Sequence, residues 1–237
     1  MEYVNFGNAG VKVSQLAFGL GLRGQPDELE AQRVIEHAFE LGINFIDCAN
    51  LYGPNDDRTN TGRSEVVLGK ALKGRRNDVV ITTKVAAAIG SGPNDEGLSR
   101  YHVMREVERS LKRLDTDYID IYYDHAPDYT TPIEETLRVM EDMVRSGKVR
   151  YIACSNFRAW RLAESLWVSD RCGLSRFACV QPLYNIVNRD AEVELFPLCR
   201  QYGIGVVCYS PLARGVLTGK YLPGQEFPGG SRAARGD

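Results

Sequence analysis

No stretch of this sequence approaches the roughly 20 consecutive apolar residues that span a bilayer, so no membrane partner is expected. The opening Met1-Glu2-Tyr3-Val4-Asn5-Phe6 has neither the basic nor the apolar segment of a secretion signal. Charge of one sign is also lacking. Lys and Arg number 29 against 31 Asp and Glu, a formal net charge of −2. That argues against a nucleic-acid partner bound through bulk positive charge. Six cysteines are present, at 48, 154, 172, 179, 199 and 208, but no CxxC pair and no clustered ligand spacing. They read as small buried apolar residues in a reducing compartment, not as a zinc site or a disulfide framework. A cytoplasmic protein is the expectation. There is no linker or low-complexity tract, so residues 1–237 read as a single domain.

What is present is regular alternation. The hydrophobic fraction is 43% and the charged fraction 25%, as in ordinary globular proteins. Residues 3–13, with Gly7-Asn8-Ala9-Gly10 at the centre, predict a β-hairpin. Strand-like runs then begin near Leu16, Ile43, Val79, Tyr118, Val149, Ala178 and Ile204. Amphipathic helical stretches intervene, as at 28–41, 99–114 and 132–145. Thr131 before Pro132 suits a helix start, and Leu41-Gly42 and Gly147 suit helix ends. One strand and one helix per roughly 30 residues implies a parallel sheet with helical crossovers. The fold class expected is an α/β (β/α)₈ TIM barrel, which takes about 250 residues. Only about seven units are visible, because no apolar run after Leu217 is long enough for an eighth strand.

Four residues fall at or just beyond the ends of those runs: Asp47, Tyr52, Lys84 and His125. In a parallel barrel all strand C-terminal ends open on one face, so distant residues converge there. An acid, a phenol, an amine and an imidazole at one mouth form a proton-delivery group. His37 and His102 lie in helical stretches and read as surface residues.

A competing motif is Gly19-Leu20-Gly21-Leu22-Arg23-Gly24, a G-x-G-x-x-G run with acidic Asp47 closing the next strand. On paper it is a dinucleotide fingerprint. In that fingerprint the helix begins inside the glycine run, so that its N-terminus meets the pyrophosphate. Here Gln25-Pro26-Asp27 intervenes. The motif therefore reads as a tight strand-to-helix turn.

Several segments together resemble the aldo-keto reductase signature. They are Gly42-Ile43-Asn44-Phe45-Ile46-Asp47-Cys48-Ala49 with Tyr52-Gly53, Ser64-Glu65-Val66-Val67-Leu68-Gly69, Thr82-Thr83-Lys84, and His125-Ala126-Pro127-Asp128. Gly147-Lys148-Val149-Arg150, Cys154-Ser155-Asn156-Phe157, Gln181-Pro182-Leu183-Tyr184-Asn185 and Tyr209-Ser210-Pro211-Leu212 continue it in order along nearly the whole chain. The resemblance implies an oxidoreductase that reduces an aldehyde or ketone, a small-molecule carbonyl substrate, with NADPH as cofactor. By that likeness Tyr52 is the general acid, with Asp47, Lys84 and His125 in support. Ser155, Asn156 and Gln181 look like nicotinamide carboxamide contacts, and Tyr209 like the residue that stacks on the nicotinamide ring. Gly21 and Asp47 look like further contacts to the same cofactor, while Ser210, Leu212, Gly215 and Leu217 look like the loop over its pyrophosphate.

The chemistry is consistent with those assignments. A phenol has a pKa of about 10 and is a reluctant acid at neutral pH. A nearby ammonium stabilises the phenolate, which Lys84 would supply if Asp47 held it charged. Two other readings remain: a non-catalytic NADPH-binding regulatory subunit, and a Schiff-base lyase built on Lys84. The sequence departs from the family pattern in a longer loop at 54–63 and in Leu22-Arg23, where a threonine and an aromatic are common. By the resemblance, the closing strand and the segment for the adenine and 2′-phosphate would lie beyond Asp237. The chain is thus expected to be a piece of a longer protein, or to lack a tail.

Overall fold

A computed structural model describes residues 1–21, 27–53 and 60–236. Strands β1 (Tyr3–Asn5) and β2 (Lys12–Ser14) form the antiparallel hairpin. After it come β3 (Ala17–Gly19), α1 (Glu28–Glu40), β4 (Phe45–Asp47), α2 (Arg63–Ala71), β5 (Val80–Val85), α3 (Arg100–Leu114) and β6 (Ile119–Asp124). The remaining elements are α4 (Ile133–Arg145), β7 (Val149–Ser155), α5 (Ala159–Cys172), β8 (Cys179–Gln181), α6 (Leu195–Tyr202) and β9 (Gly205–Val206). Strands β3 to β9 pair in sequence order, each parallel to the next. A dinucleotide-binding doubly wound sheet reverses its order midway; this one does not. Gly19 and Gly21 of the glycine motif are described, while Leu22, Arg23 and Gly24 lie outside the described residues. Helix α1 begins at Glu28, capped by the Asp27 carboxylate, which accepts from Glu30 N–H at 2.8 Å.

The seven strands curl into an incomplete barrel, as the hairpin contacts show. Tyr3 donates to Gly42 O just before β4, and Ser14 N–H donates to the Asn44 side chain. On the other side Asn8 N–H donates to Gly203 O, just before β9. Laid flat, β4 and β9 would stand about 24 Å apart at about 4.8 Å per strand. A two-stranded hairpin of this size reaches both only if the sheet bends around it. The approach is close at Gly7, where φ is +56° and an added Cβ would lie 2.4 Å from Gly205 N. Among the described residues no ladder joins β3 to β9.

Side chains alternate across each strand, and that parity positions the site. The inner face holds Phe45, Val80, Ile121, Tyr123, Ala153 and Cys179, packed with Phe6 and Val13 of the hairpin. The outer face holds Ile46, Ile81, Tyr122, Ile152 and Val180 beneath the helices. Two residues beyond an inner apolar position the chain again points inward. That places Asp47, Lys84, His125, Ser155 and Gln181 at the C-terminal rim of the barrel.

The helix ends follow the sequence signals with one exception. Gly42 and Gly147 adopt φ of +82° and +74° after α1 and α4. Helix α4 is flanked by Pro132 with no side-chain cap, so Thr131 is not its N-cap. The Thr131 hydroxyl donates instead to Asp128 at 2.7 Å.

Candidate active site

Asp47 ends β4, and its carboxylate has two inner-face partners. Thr82 Oγ1 donates to Oδ1 at 2.6 Å, and Lys84 Nζ to Oδ2 at 2.7 Å. Lys84 Nζ also donates to Cys48 O at 2.5 Å. Lys84 is fully buried. Burial alone would pull its pKa down, but the Asp47 carboxylate, helped by Tyr52, outweighs this and raises it. Its Nζ stands 4.9 Å from the centre of the Tyr52 ring. The Tyr52 and His125 rings meet edge to face, with centroids 5.7 Å apart. The four residues expected at one mouth are therefore together.

The next wall is a chain of hydrogen bonds. Ser155 Oγ donates to Gln181 O at 2.8 Å. Asn156 Nδ2 donates to His125 O at 2.9 Å, and Asn156 Oδ1 accepts from Tyr209 Oη at 2.8 Å. Asn156 adopts φ of +62° directly after β7, a conformation asparagine tolerates better than most residues. Burial pushes the Tyr209 phenol up, with Arg214 opposing.

A cavity of about 640 Å³ opens between these groups. Gly21, Asp47, Tyr52, His125, Ser155, Asn156, Gln181, Tyr209 and Ser210 all line it. Lys84 does not; its Nζ stands 4.9 Å from the Tyr52 ring centre. Leu212, Gly215 and Leu217 are not on the wall either. Gly215 and Leu217 lie on the turn Ala213–Thr218, which Leu212 precedes, and Leu212 is exposed. Two wall residues that the sequence reading missed are Arg214 and Arg232. Arg214 sits inside the loop already singled out; nothing in the local pattern marks Arg232.

Other expectations need correction. His102 is fully buried, not on the surface, because it occupies the inner side of α3; its Nδ1 lies 3.0 Å from Asn94 O. Burial lowers its pKa. Cys48, Cys154, Cys179 and Cys199 are buried, but Cys172 is half-buried and Cys208 exposed. Pro54 to Thr59, most of the long loop after Tyr52, lie outside the described residues. Asp124 was not anticipated. It faces outward beside His125 with both carboxylate oxygens buried and unbonded among the described residues. Burial raises its pKa well above the usual carboxylate range, with Arg161 opposing.

The family model described as "Aldo/keto reductase family" matches residues 15–235. The chain belongs to the aldo/keto reductase family. Among its relatives is a protein named probable voltage-gated potassium channel subunit beta from Oryza sativa subsp. japonica. It is 41% identical over 99% of this chain and 70% of its own length. An uncharacterized oxidoreductase, YrpG, from Bacillus subtilis (strain 168) is 42% identical over 94% and 70%. Versiconal hemiacetal acetate reductase from Aspergillus parasiticus is 35% identical over 92% and 69%. Family and named relatives support an oxidoreductase. Among the described residues no helix is long and apolar enough to cross a membrane.

Proposed function

We propose that the chain reduces an aldehyde or ketone to an alcohol, with NADPH as hydride donor and Tyr52 as proton donor. The observation that carries this reading is the buried Lys84, bonded to Asp47 and 4.9 Å from the Tyr52 ring. A cationic ammonium there stabilises negative charge on the phenol as its proton leaves. The Asp47 carboxylate keeps the lysine charged inside the barrel. His125, in edge-to-face contact with Tyr52, would polarise a carbonyl oxygen that reaches the mouth beside both rings.

The cavity lining suits the nicotinamide and pyrophosphate portion of such a cofactor. The hydrogen-bonding side chains of Ser155, Asn156 and Gln181 share the wall with Tyr209, and Arg214 and Arg232 line the same space. Ser155, Asn156 and Gln181 would hold the carboxamide, Tyr209 the ring, and Ser210 with the two arginines the phosphates. When bound, the cofactor supplies the hydride. The chain's own residues orient the acceptor carbon and deliver the proton through Tyr52 Oη. We read the protein as cytoplasmic.

Two relatives named potassium channel subunit beta, 41% and 42% identical, favour a second reading, a cofactor-binding regulatory subunit. The Schiff-base reading loses ground, because Lys84 is buried, ion-paired and off the cavity wall. The deciding experiment is NADPH and NADH oxidation against a panel of aldehydes and ketones, with Tyr52→Phe alongside. The proposal expects Tyr52→Phe to lower kcat by at least about 10²-fold. Parental turnover by that variant would sink the assignment. Tight cofactor binding without turnover by the parent would favour the regulatory reading.

A further inference from the structure

Beneath the loop that carries Tyr52 lies a buried charge that the proposed chemistry does not use. Glu106, on α3, is fully buried. Its Oε1 accepts from Arg109 Nη1 at 2.8 Å, with Arg105 Nε 3.7 Å away. Its Oε2 accepts from Asn50 Nδ2 at 3.2 Å. Taking a carboxylate out of water costs several kcal/mol, and partly exposed arginines offset only some of that. A purely apolar residue would fill the same space without that cost.

Asn50 is placed to transmit the contact. It lies three residues after Asp47 and two before Tyr52, and is itself buried. Its N–H donates to Lys84 O at 3.2 Å. One residue thus touches the strand of the lysine through its backbone and the buried carboxylate through its side chain. The amide orientation is fixed, because turning Oδ1 toward Glu106 would set two acceptors against each other. Oδ1 has no partner among the described residues, so the Glu106 contact decides where the side chain points. Backbone bonds complete the loop: Tyr52 N–H to Ala49 O at 3.1 Å, and Ser64 N–H to Tyr52 O at 3.2 Å.

We propose that Glu106 and Asn50 are positioning residues that hold the Asp47-to-Tyr52 loop in register with Lys84. The catalytic consequence rests on the reading of Tyr52 as proton donor; the positioning itself does not. Asn50→Asp sets two carboxyl groups face to face. Asn50→Asp with Glu106→Gln restores an amide-to-carboxylate bond with the partners exchanged. Glu106→Gln alone keeps an acceptor for Asn50.

Two measurements read the effect. Amide hydrogen exchange over residues 48–52 reports the loop without any turnover. Steady-state kinetics with NADPH and one aldehyde report the consequence. Asn50→Asp is expected to speed exchange across this segment. It should also lower kcat by roughly 10-fold or more, with KM for the aldehyde within about threefold. The double variant should recover kcat to within about threefold of the parent, and Glu106→Gln should stay within the same range. A double variant no better than Asn50→Asp overturns the proposal. So does Asn50→Asp with lowered melting temperature but parental exchange and kcat, since that is a merely structural contact. If exchange responds as expected while Tyr52→Phe keeps full turnover, the loop clamp stands and the proposed function fails.

Discussion

Replacing the buried pair Lys84–Asp47 by Met and Asn removes the ammonium from behind Tyr52 without leaving a lone buried carboxylate. Breaking only one side is the poorer experiment, because an unpaired buried charge costs about 3–5 kcal/mol of stability. The ammonium stands 4.9 Å from the Tyr52 ring centre. At an effective dielectric of about 20, a unit charge at that distance stabilises a phenolate by about 3 kcal/mol. The Asp47 carboxylate bonded to the ammonium opposes part of this, so the net effect of removing the pair is smaller. Lys84 is fully buried, while Tyr52 is half-buried on the cavity wall, so solvent screens part of the interaction.

The assay is an ultraviolet tyrosinate titration of parent and Lys84→Met/Asp47→Asn, each differenced against its own Tyr52→Phe derivative so that only one phenol is read. The Tyr52 midpoint is expected to move up in the double variant, because the ammonium is the nearer charge to the phenol. NADPH-dependent reduction at pH 7 should fall in parallel, because a weaker acid gives up its proton less readily. A midpoint that stays put or moves down would refute the reasoning, since the pair would then supply no net stabilisation of the phenolate.

Three further predictions concern stability. The Asp128 carboxyl is only partly buried. Its bonds from Leu98 N–H, Thr130 and Thr131 outweigh that burial and hold its pKa well below the usual range. An acid with a depressed folded pKa contributes stability above its unfolded value, about 3.9, and loses it as pH falls. Asp128→Asn should therefore cost about 1 kcal/mol or more at pH 7 and progressively less as pH falls below about 4, read by urea unfolding. Asp124 has the opposite sign: burial raises its folded pKa, so its contribution declines as pH rises above about 4. Asp124→Asn is expected to be more stable than the parent at pH 7 and equal to it near pH 3; an unchanged difference across that range would count against a buried neutral acid. Gly7→Ala should destabilise by at least about 1 kcal/mol, since it combines a positive φ with a backbone clash; an unchanged melting temperature would show that the hairpin does not dock as described.

The sequence carried the barrel mouth because period and parity are local properties. A run such as Val79-Val80-Ile81-Thr82-Thr83-Lys84 announces a strand, and its end announces the rim. Once Val80 faces inward, Lys84 must also, and the same counting applies from Phe45 to Asp47 and from Tyr123 to His125. Partnership is not local in this way. Asn50 and Glu106 are 56 residues apart, and neither belongs to a spacing that names the other. His102 was misplaced for the same reason. Polar residues on a helix count as outward facing in a hydrophobic pattern, yet α3 turns His102, Glu106 and Ser110 inward, at a spacing of four that is as periodic as any apolar stripe. A buried polar stripe and an exposed one share one sequence signature. They are separated by what waits on the other side: here Asn50 from the loop carrying Tyr52, and Asn94 from the loop before α3. The stripe is legible only after the sheet has brought those loops to it, which is why the buried polar residues packed beneath the Tyr52 loop were harder to read than the residues at the mouth itself.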